Sequence, residues 1–354
     1  MTFIPVRVSS ILRPACDSHS STHIAHIMTE LKTTPGRRTV FIHEHVSGGG
    51  MAGTELPNSW LAEGRAMLEA AVTAFADAGC DVVTTVDPRV DFHLPFETIR
   101  VESRHQAEAI LTDMTMRTDF GLIIAPETGG VLHRLTLLAE RKPGWNLGSS
   151  AEAVALCGDK IATTQHLIRH GFPLPDPIRV DDFGNSICHE GLIALKPNDG
   201  AGTVDTFLVP GPSVRSFASR QALDPSRFHC MRFVPGPSAG YSYLCDGHGS
   251  AVPVAACRHE VRFELVEPWI YRFQLDAGSP APVPVDGQIA ACREAIRTIP
   301  GLRGWVGVDV ILDLTGEVDA ILEINPRLTS SFVWALNRTN RSEIVSQWLA
   351  SPYR

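Results

Sequence analysis

The sequence predicts a doubly wound α/β domain followed by an α+β region. Over residues 39–125, short apolar runs alternate with helical stretches, the spacing of βαβ units that build a parallel sheet. From about residue 148, two helices lead into strands that follow one another with turns between them, the pattern of hairpins. The chain has 354 residues, enough for about two ordinary domains and a sizeable core.

Residues 1–38 precede this order. They are rich in Ser, Thr and His and carry Arg7, Arg13, Lys32, Arg37 and Arg38 against Asp17 and Glu30. Being Arg- and Ser-bearing and poor in acids, the stretch could be read as a presequence, but it lacks the apolar h-region of a secretory signal. The plainer expectation is a disordered tail, or an over-long start with Met28 as the initiator. Thr39–His43 then reads as a buried strand running into the glycine-rich turn Glu44–Gly50. Asn58–Ala78 reads as an amphipathic helix ended by Gly79, and Asp81–Val86 as the next strand. A helix follows around Ser103–Met114, then the apolar strand Phe120–Ala125. These elements form an expected first domain, 39–147.

The second region is expected over 148–354, with a lid-bearing part (148–230) and a metal-binding part (231–354). Ser149 or Ser150 caps a helix through Ala151–Leu156. Asp159 opens Lys160–His170, which Gly171 stops, with Pro173 and Pro175 beyond. Strands are expected at Leu192–Lys196, Val204–Val209, His229–Val234, Tyr241–Cys245, Val252–Arg258, Trp305–Leu314 and Val318–Ile324.

Composition excludes several classes. Lys plus Arg is 31 against 39 Asp plus Glu, a formal charge of −8. That balance argues against a dedicated nucleic-acid binder, whose first signature is a basic face. No apolar run approaches the roughly 20 residues that span a bilayer. The eight cysteines contain no CxxC pair, so a zinc site is not expected and reduced, packed thiols in a cytoplasmic protein are.

The chemistry concentrates in two strands joined by a turn, Gly307–Asp313 and Ala320–Arg327. Alternation puts Glu323 and Asn325 on one face. A three-residue loop Leu314-Thr315-Gly316, with Gly316 left-handed, pairs Asp313 with Glu317. Asp309 then opposes Ile321 and lies diagonal to Glu323, about 7–8 Å away. Val308, Val310, Leu312, Leu322 and Ile324 form the opposite, core face. Two carboxylates and an amide oxygen at one end of a hairpin suit Mg²⁺, which takes one or two carboxylates plus substrate phosphates. Taken alone, the pattern would equally suit a solvated hairpin face. Lys196 ends an apolar strand before the small loop Pro197–Thr203, where backbone N–H groups can approach an anion. By itself that loop would also suit a plain turn. Nothing matches a GxxxxGK[ST] P-loop or a GxGxxG fingerprint.

Order and spacing sharpen this. Lys160, then Lys196 with its glycine loop, then Met231-Arg232-Phe233-Val234, then Asp309, then Glu323-x-Asn325 resembles the ATP-grasp superfamily of carboxylate–amine ligases. The resemblance covers roughly 148–350, and 39–147 looks like that superfamily's N-terminal α/β domain. It implies two grasping α+β subdomains with ATP between them. It also implies that Lys160 and Lys196 reach the α- and β-phosphates and that Gly200, Ala201, Gly202 and Thr203 form a lid over them. The backbone of Met231, Arg232, Phe233 and Val234 would face adenine, although Met231-Arg232 stands where an acidic residue is common. Asp309, Glu323 and Asn325 would hold Mg²⁺, with Mn²⁺ as a substitute. Arg258 would lie near the γ-phosphate, and Arg327 would stabilise acyl-phosphate charge.

Shorter pieces are similar to the tyramine–L-glutamate ligases, which build the side chain of methanofuran-type one-carbon carriers. They are His43–Gly50, Ala125–Thr128, Leu147–Ser150 and Asn325–Ser331. Ser47–Gly50 and Glu127–Gly130 would then be substrate or nucleotide contacts at the carboxyl ends of parallel strands. The implied function is ATP-dependent amide formation between an amino acid carboxylate, glutamate favoured, and a tyramine-like amine or aromatic amino acid, through an acyl-phosphate. The alternatives are a ligase for another amino acid or dipeptide, a carboxylate kinase, and a silent nucleotide-binding module. The expected partners are small molecules, with neither nucleic acid nor membrane. A homo-oligomer is compatible with the sequence.

Overall fold

Every residue of β1 (Thr39–Glu44) is buried, as a strand covered on both faces of a parallel sheet must be. The computed structural model describes residue 31 and residues 33–92, 95–178, 190–200, 202–275, 278–283 and 289–350. Most of the expected tail, Cys16, Cys188 and Ala201 lie outside the described residues. The end of the 1–38 segment is tied to the body: Arg37 Nε donates to Gly79 O at 2.8 Å and Thr34 Oγ1 bonds Asp81.

The first sheet is wholly parallel. β1 pairs with β2 (Asp81–Val86) and β4 (Phe120–Ile124), and β3 (Glu97–Arg100) lies beyond β2, giving the order β3-β2-β1-β4. The helix α1 (Asn58–Asp77) buries Leu68, Val72 and Phe75 against it. Helices α2 (Arg104–Arg117) and α3 (Val131–Ala139) pack beside β4. Neither β3 nor α3 stands out in the sequence. ETIR is short and polar, and α3 starts only after two left-handed glycines, Gly129 and Gly130.

The rest of the chain starts with α4 (Ala151–Gly158) and α5 (Lys160–Arg169), each capped by the side chain before it. Ser150 Oγ accepts from Ala153 N, and Asp159 Oδ1 from Ala162 N. One sheet then contains β5 (Pro177–Ile178), β6 (Leu192–Pro197), β7 (Phe207–Pro210) and β8 (Phe228–Arg232). β7 begins later than Val204 because Asp205 sits at φ +52° inside a turn in which Thr206 N reaches Thr203 O. The helix α6 (Val214–Arg220) covers this sheet through Phe217. A second antiparallel sheet is built on β9 (Ser238–Asp246) and β10 (Ala251–Arg258). The hairpin β11 (Val261–Glu267) and β12 (Ile270–Leu275) crosses back and joins β7, so it extends the first antiparallel sheet although it lies within 231–354. The second sheet is completed by β13 (Ser279–Ala281), by the helix α7 (Ala290–Arg297) packed beside β10, and by β14 (Arg303–Leu312) and β15 (Val318–Asn325).

The β14–β15 turn forms as expected, with Gly316 at φ +89° and Asp313 N bonded to Glu317 O. The register does not run on regularly. Two bulges leave Asp319 and Leu322 as extra residues on β15, so that Asp309 pairs directly with Glu323 instead of diagonally. The second bulge also reverses two side chains. Ile321 is buried in the core opposite Val310, while Leu322, expected in the core, lines a cavity. Bulges concentrate on edge strands and beside active sites because an extra residue re-aims its neighbours; β15 is an edge strand.

After the short helix α8 (Ser331–Trp334), α9 (Arg338–Ala350) returns to α1. Trp348 packs on Phe75 with ring centroids 6.0 Å apart, and Arg338 forms a fork with Asp77 at 2.6 and 2.7 Å. One apolar cluster thus joins Val40, Leu68 and Phe75 to Trp305, Phe332 and Trp348. Among the described residues no helix is long and apolar enough to cross a membrane.

Candidate active site

A cavity of about 550 Å³ opens where residues of the two antiparallel sheets face each other. Lys196, Gly202, Thr203, Met231–Val234, Asp309, Glu323, Asn325 and Arg327 all line it. The bulged hairpin supplies three of these, and β6 supplies Lys196 from the facing sheet. Lys160 reaches the same point from the first turn of α5. Asn198, just past Lys196, holds that turn: its carbonyl accepts from Lys160 N at 3.0 Å and its Oδ1 from Ile161 N at 2.9 Å.

Glu323 Oε2 lies 3.4 Å from Lys160 Nζ and 3.6 Å from Lys196 Nζ. Lys160 Nζ also donates to Gly200 O at 2.6 Å, and Lys196 Nζ makes a longer contact with the carbonyl of the bulged Leu322 at 3.4 Å. Asn325 Nδ2 donates to Asp309 Oδ2 at 3.0 Å, which leaves the amide oxygen available as a ligand. Burial opposes the charge on Glu323, but Lys160 and Lys196 outweigh it and hold the carboxyl below its ordinary value. Burial pushes Asp309 up; His259 opposes this and Glu323 adds to it. Burial also pulls Lys196 down, against the attraction of Glu323. Two hard carboxylates beside an amide whose oxygen is left free fit a small divalent cation, which would offset the burial that disfavours the Asp309 charge. The two lysines fit phosphate oxygens once Glu323 is otherwise engaged.

Arg327 faces the cavity and is paired with the loop after β4: its Nε donates to Glu127 Oε1 at 2.8 Å, with both side chains largely buried. The other oxygen, Glu127 Oε2, is buried without a partner among the described residues. Arg258 is not brought to the site. It is exposed at the end of β10, while Cys257 and His259 on either side of it line the cavity, because alternate residues near a strand end face opposite ways.

Several lining residues escaped the sequence reading. His259 Nε2 lies 3.8 Å from Asp309 Oδ1 and 3.2 Å from Cys257 Sγ, and its Nδ1 meets Ser238 Oγ at 3.1 Å. A Cβ on Gly240 would come within 2.7 Å of Cys257 Sγ and 2.8 Å of His259 Nε2, so only glycine admits this packing. Burial raises the Cys257 thiol to about 12 and keeps it protonated. Phe263 and Phe273 come from the unforeseen hairpin, with ring centroids 5.1 Å apart. The alternation Val261, Phe263, Leu265 is a strand signal in the sequence, but its facing partner is not. Glu63, on α1, also lines the cavity.

The turn after β1 does not reach the cavity. Glu44 accepts from Val46 N at 3.0 Å and from both the N–H and the hydroxyl of Ser47 at 2.6 Å. Ser47–Gly50 are buried, so the expected substrate contacts there give way to a turn closed on its own carboxylate. Glu127 sits in the loop after β4 and acts through Arg327, while Gly129 N donates to Asp199 Oδ2 at 2.9 Å, linking that loop to the lysine-bearing glycine loop.

Comparison with known proteins agrees with this geometry. The family model described as pre ATP-grasp 3 domain matches residues 80–154, and that described as ATP-grasp domain matches residues 157–331. A tyramine–L-glutamate ligase of Methanocaldococcus fervens is 24% identical over 292 residues, covering 80% of this chain and 86% of that protein. A crystal structure of an ATP-grasp superfamily protein from Archaeoglobus fulgidus superposes with a TM-score of 0.61 at 21% identity, covering 84% of this chain and 83% of the other. D-alanine–D-alanine ligase from Bacillus anthracis gives a TM-score of 0.57 at 14% identity, over 89% and 97% of the two chains.

Proposed function

From the premise that this chain belongs to the ATP-grasp superfamily and is an ATP-dependent carboxylate–amine ligase, we propose that it joins the carboxylate of an amino acid, glutamate first, to a tyramine-like amine. The observation that carries the chemistry is the convergence of Lys196, Asp309, Glu323 and Asn325 on one cavity, with Lys160 held against Glu323. The substrate pair draws on the name of the 24% identical ligase. The same likeness supports a place in the synthesis of a one-carbon-carrier cofactor. Within this reading the first domain spans 39–147. The nucleotide lies between 148–230 and 231–354, with the hairpin Val261–Leu275 contributed from the latter.

Asp309, Glu323 and Asn325 are the residues that would hold Mg²⁺, which supplies charge neutralisation for the β- and γ-phosphates when bound. Lys160 and Lys196, which lie against Glu323 at 3.4 and 3.6 Å, are the cations that would bind the α- and β-phosphates. Gly200–Thr203 covers the phosphates, and the backbone of Met231–Val234 faces adenine. The substrate carboxylate attacks the γ-phosphorus and ADP leaves. The amine then attacks the acyl carbon, phosphate leaves, and the amine's surplus proton is lost. Arg327 stabilises charge on the transferred phosphoryl group, and Glu127 orients its guanidinium. No protein nucleophile takes part, so catalysis is positioning and charge stabilisation.

The test is to incubate the protein with Mg²⁺, ATP, L-glutamate and tyramine, separate the nucleotides, and weigh the product. ADP appearing in step with a glutamyl amide is the expected result. AMP and pyrophosphate would overturn the acyl-phosphate route. ADP without amide would remove this pair and send the search to other amino acids and amines.

A further inference from the structure

The cavity is lined by three carboxylates, Glu63, Asp309 and Glu323, and only the latter two belong to the cluster with the lysines. Glu63 is different in kind. It is exposed on α1 and makes no hydrogen bond or ion pair among the described residues. The cation whose charge it reaches is Arg327, and that guanidinium is already bonded to Glu127 at 2.8 Å. One carboxylate is therefore left over where the first domain meets the cavity.

The position of Glu63 is built in. The next residue, Gly64, is pressed against the Glu44 carboxyl group so closely that a Cβ would lie 2.6–2.8 Å from its atoms. Glu44 is itself fixed by the three bonds of its turn. The turn thus seats α1 at the point from which Glu63 faces the cavity.

We infer that Glu63 receives a protonated primary amine carried by a substrate, and that the Glu44 turn acts as its positioning element. A carboxylate whose cation, Arg327, is already bonded to another acid, and which faces a ligand cavity, is complementary to an ammonium group. In the ligase reading, on which this rests, two groups qualify: the α-ammonium of the donor amino acid and the ammonium form of the acceptor amine.

The experiment compares wild type, Glu63→Gln and Glu63→Asp by ADP release, with L-glutamate against glutarate as donor and tyramine as acceptor. Loss of a charge-assisted bond predicts a KM about 10- to 100-fold higher in Glu63→Gln. If the donor ammonium is read, the rise occurs for L-glutamate and not for glutarate. If the acceptor is read, it occurs for tyramine with either donor. Glu63→Asp should recover part of the loss, and the KM for ATP should not move. Equal KM values in wild type and Glu63→Gln for both ammonium substrates would overturn the inference, as would an equal rise for L-glutamate and glutarate with tyramine unaffected. If wild type turns over no pair, the substrate assignment fails on its own. Calorimetry with L-glutamate and tyramine in the presence of a non-hydrolysable ATP analogue then decides: weaker binding of either by Glu63→Gln supports the inference, and unchanged binding of both overturns it.

Discussion

Two strand ends in this molecule carry buried acids, and their surroundings make them opposite kinds of site. Near the end of β15, Glu323 is satisfied by two lysine ammonium groups on long side chains, which in the proposed function the nucleotide would claim. At the end of β1, Glu44 is satisfied by the backbone and hydroxyl of the turn that follows it. The first arrangement is exchangeable and opens on a cavity. The second is closed, and nothing can bind Glu44 without unmaking the turn. Acids at strand ends are therefore not informative in themselves; what matters is whether their partners are mobile side chains or fixed backbone groups.

The largest effect should come from the exchangeable end. Glu323→Gln is expected to keep the fold and cut ATP turnover at least a thousandfold, about 4 kcal/mol of barrier. ADP release together with a thermal melt would check it, and substantial turnover at limiting Mg²⁺ would place Glu323 with Glu44 as a structural acid.

Next comes a pH effect that both regions share. Burial depresses His43 to about 3, and His45 and His229 to about 4. Their folded values lie below the unfolded one near 6.5, so the unfolded chain takes up protons that the folded chain refuses. Stability from this source is complete above pH 6.5 and is lost as pH falls from there towards 4. Three such groups give a slope of up to about 4 kcal/mol per pH unit. Denaturant titrations at pH 7, 6 and 5 should show it. Replacing His43 and His45 together should flatten the slope more than replacing His229 alone, and equal effects would count against the greater share assigned to the first domain.

Glu44→Ala should lower stability by about 2–3 kcal/mol, since it leaves buried N–H groups unpaired. ATP affinity by calorimetry should stay at the wild-type value. A loss of ATP binding would erase the distinction between the two strand ends. The smallest effect is expected for Lys196→Met, a tenfold to thirtyfold loss of ATP affinity, or about 1.4–2 kcal/mol. The melting temperature of the nucleotide-free protein should not fall, because burial costs the ammonium more than its attraction to Glu323 returns. Unchanged nucleotide binding would return the glycine loop to an ordinary turn.

Lys160 behind a helix cap, Lys196 at the end of an apolar strand, and Glu323 and Asn325 two apart on one strand are weak markers singly; their order and spacing along the chain made the group legible. The turn residue Gly316 was legible from the three-residue loop it closes. Arg258 was misread because the sequence shows a strand end but not which of three successive residues turns inward; Cys257 and His259 do. The direct pairing of Asp309 with Glu323 was hidden by two bulges on the edge strand β15, while β14 pairs with β9 in regular register on its other side. Glu63 and Phe263 were invisible as site residues, since one comes from the first domain and the other from a hairpin that crosses between sheets.

By itself the sequence determined the alternation of parallel units and hairpins, the caps and turns, and the order in which lysines, carboxylates and amide appear. Those are consequences of side-chain periodicity, backbone geometry and spacing along one chain, all local. Only the tertiary structure decided which strand edges met, which face each residue of the bulged hairpin presented, and which charges found fixed partners. Those outcomes depend on burial between elements far apart in sequence. They made Glu44 part of a closed turn, drew Lys160 and Lys196 together on Glu323, and left Glu63 facing the cavity without a hydrogen-bond or ion-pair partner among the described residues.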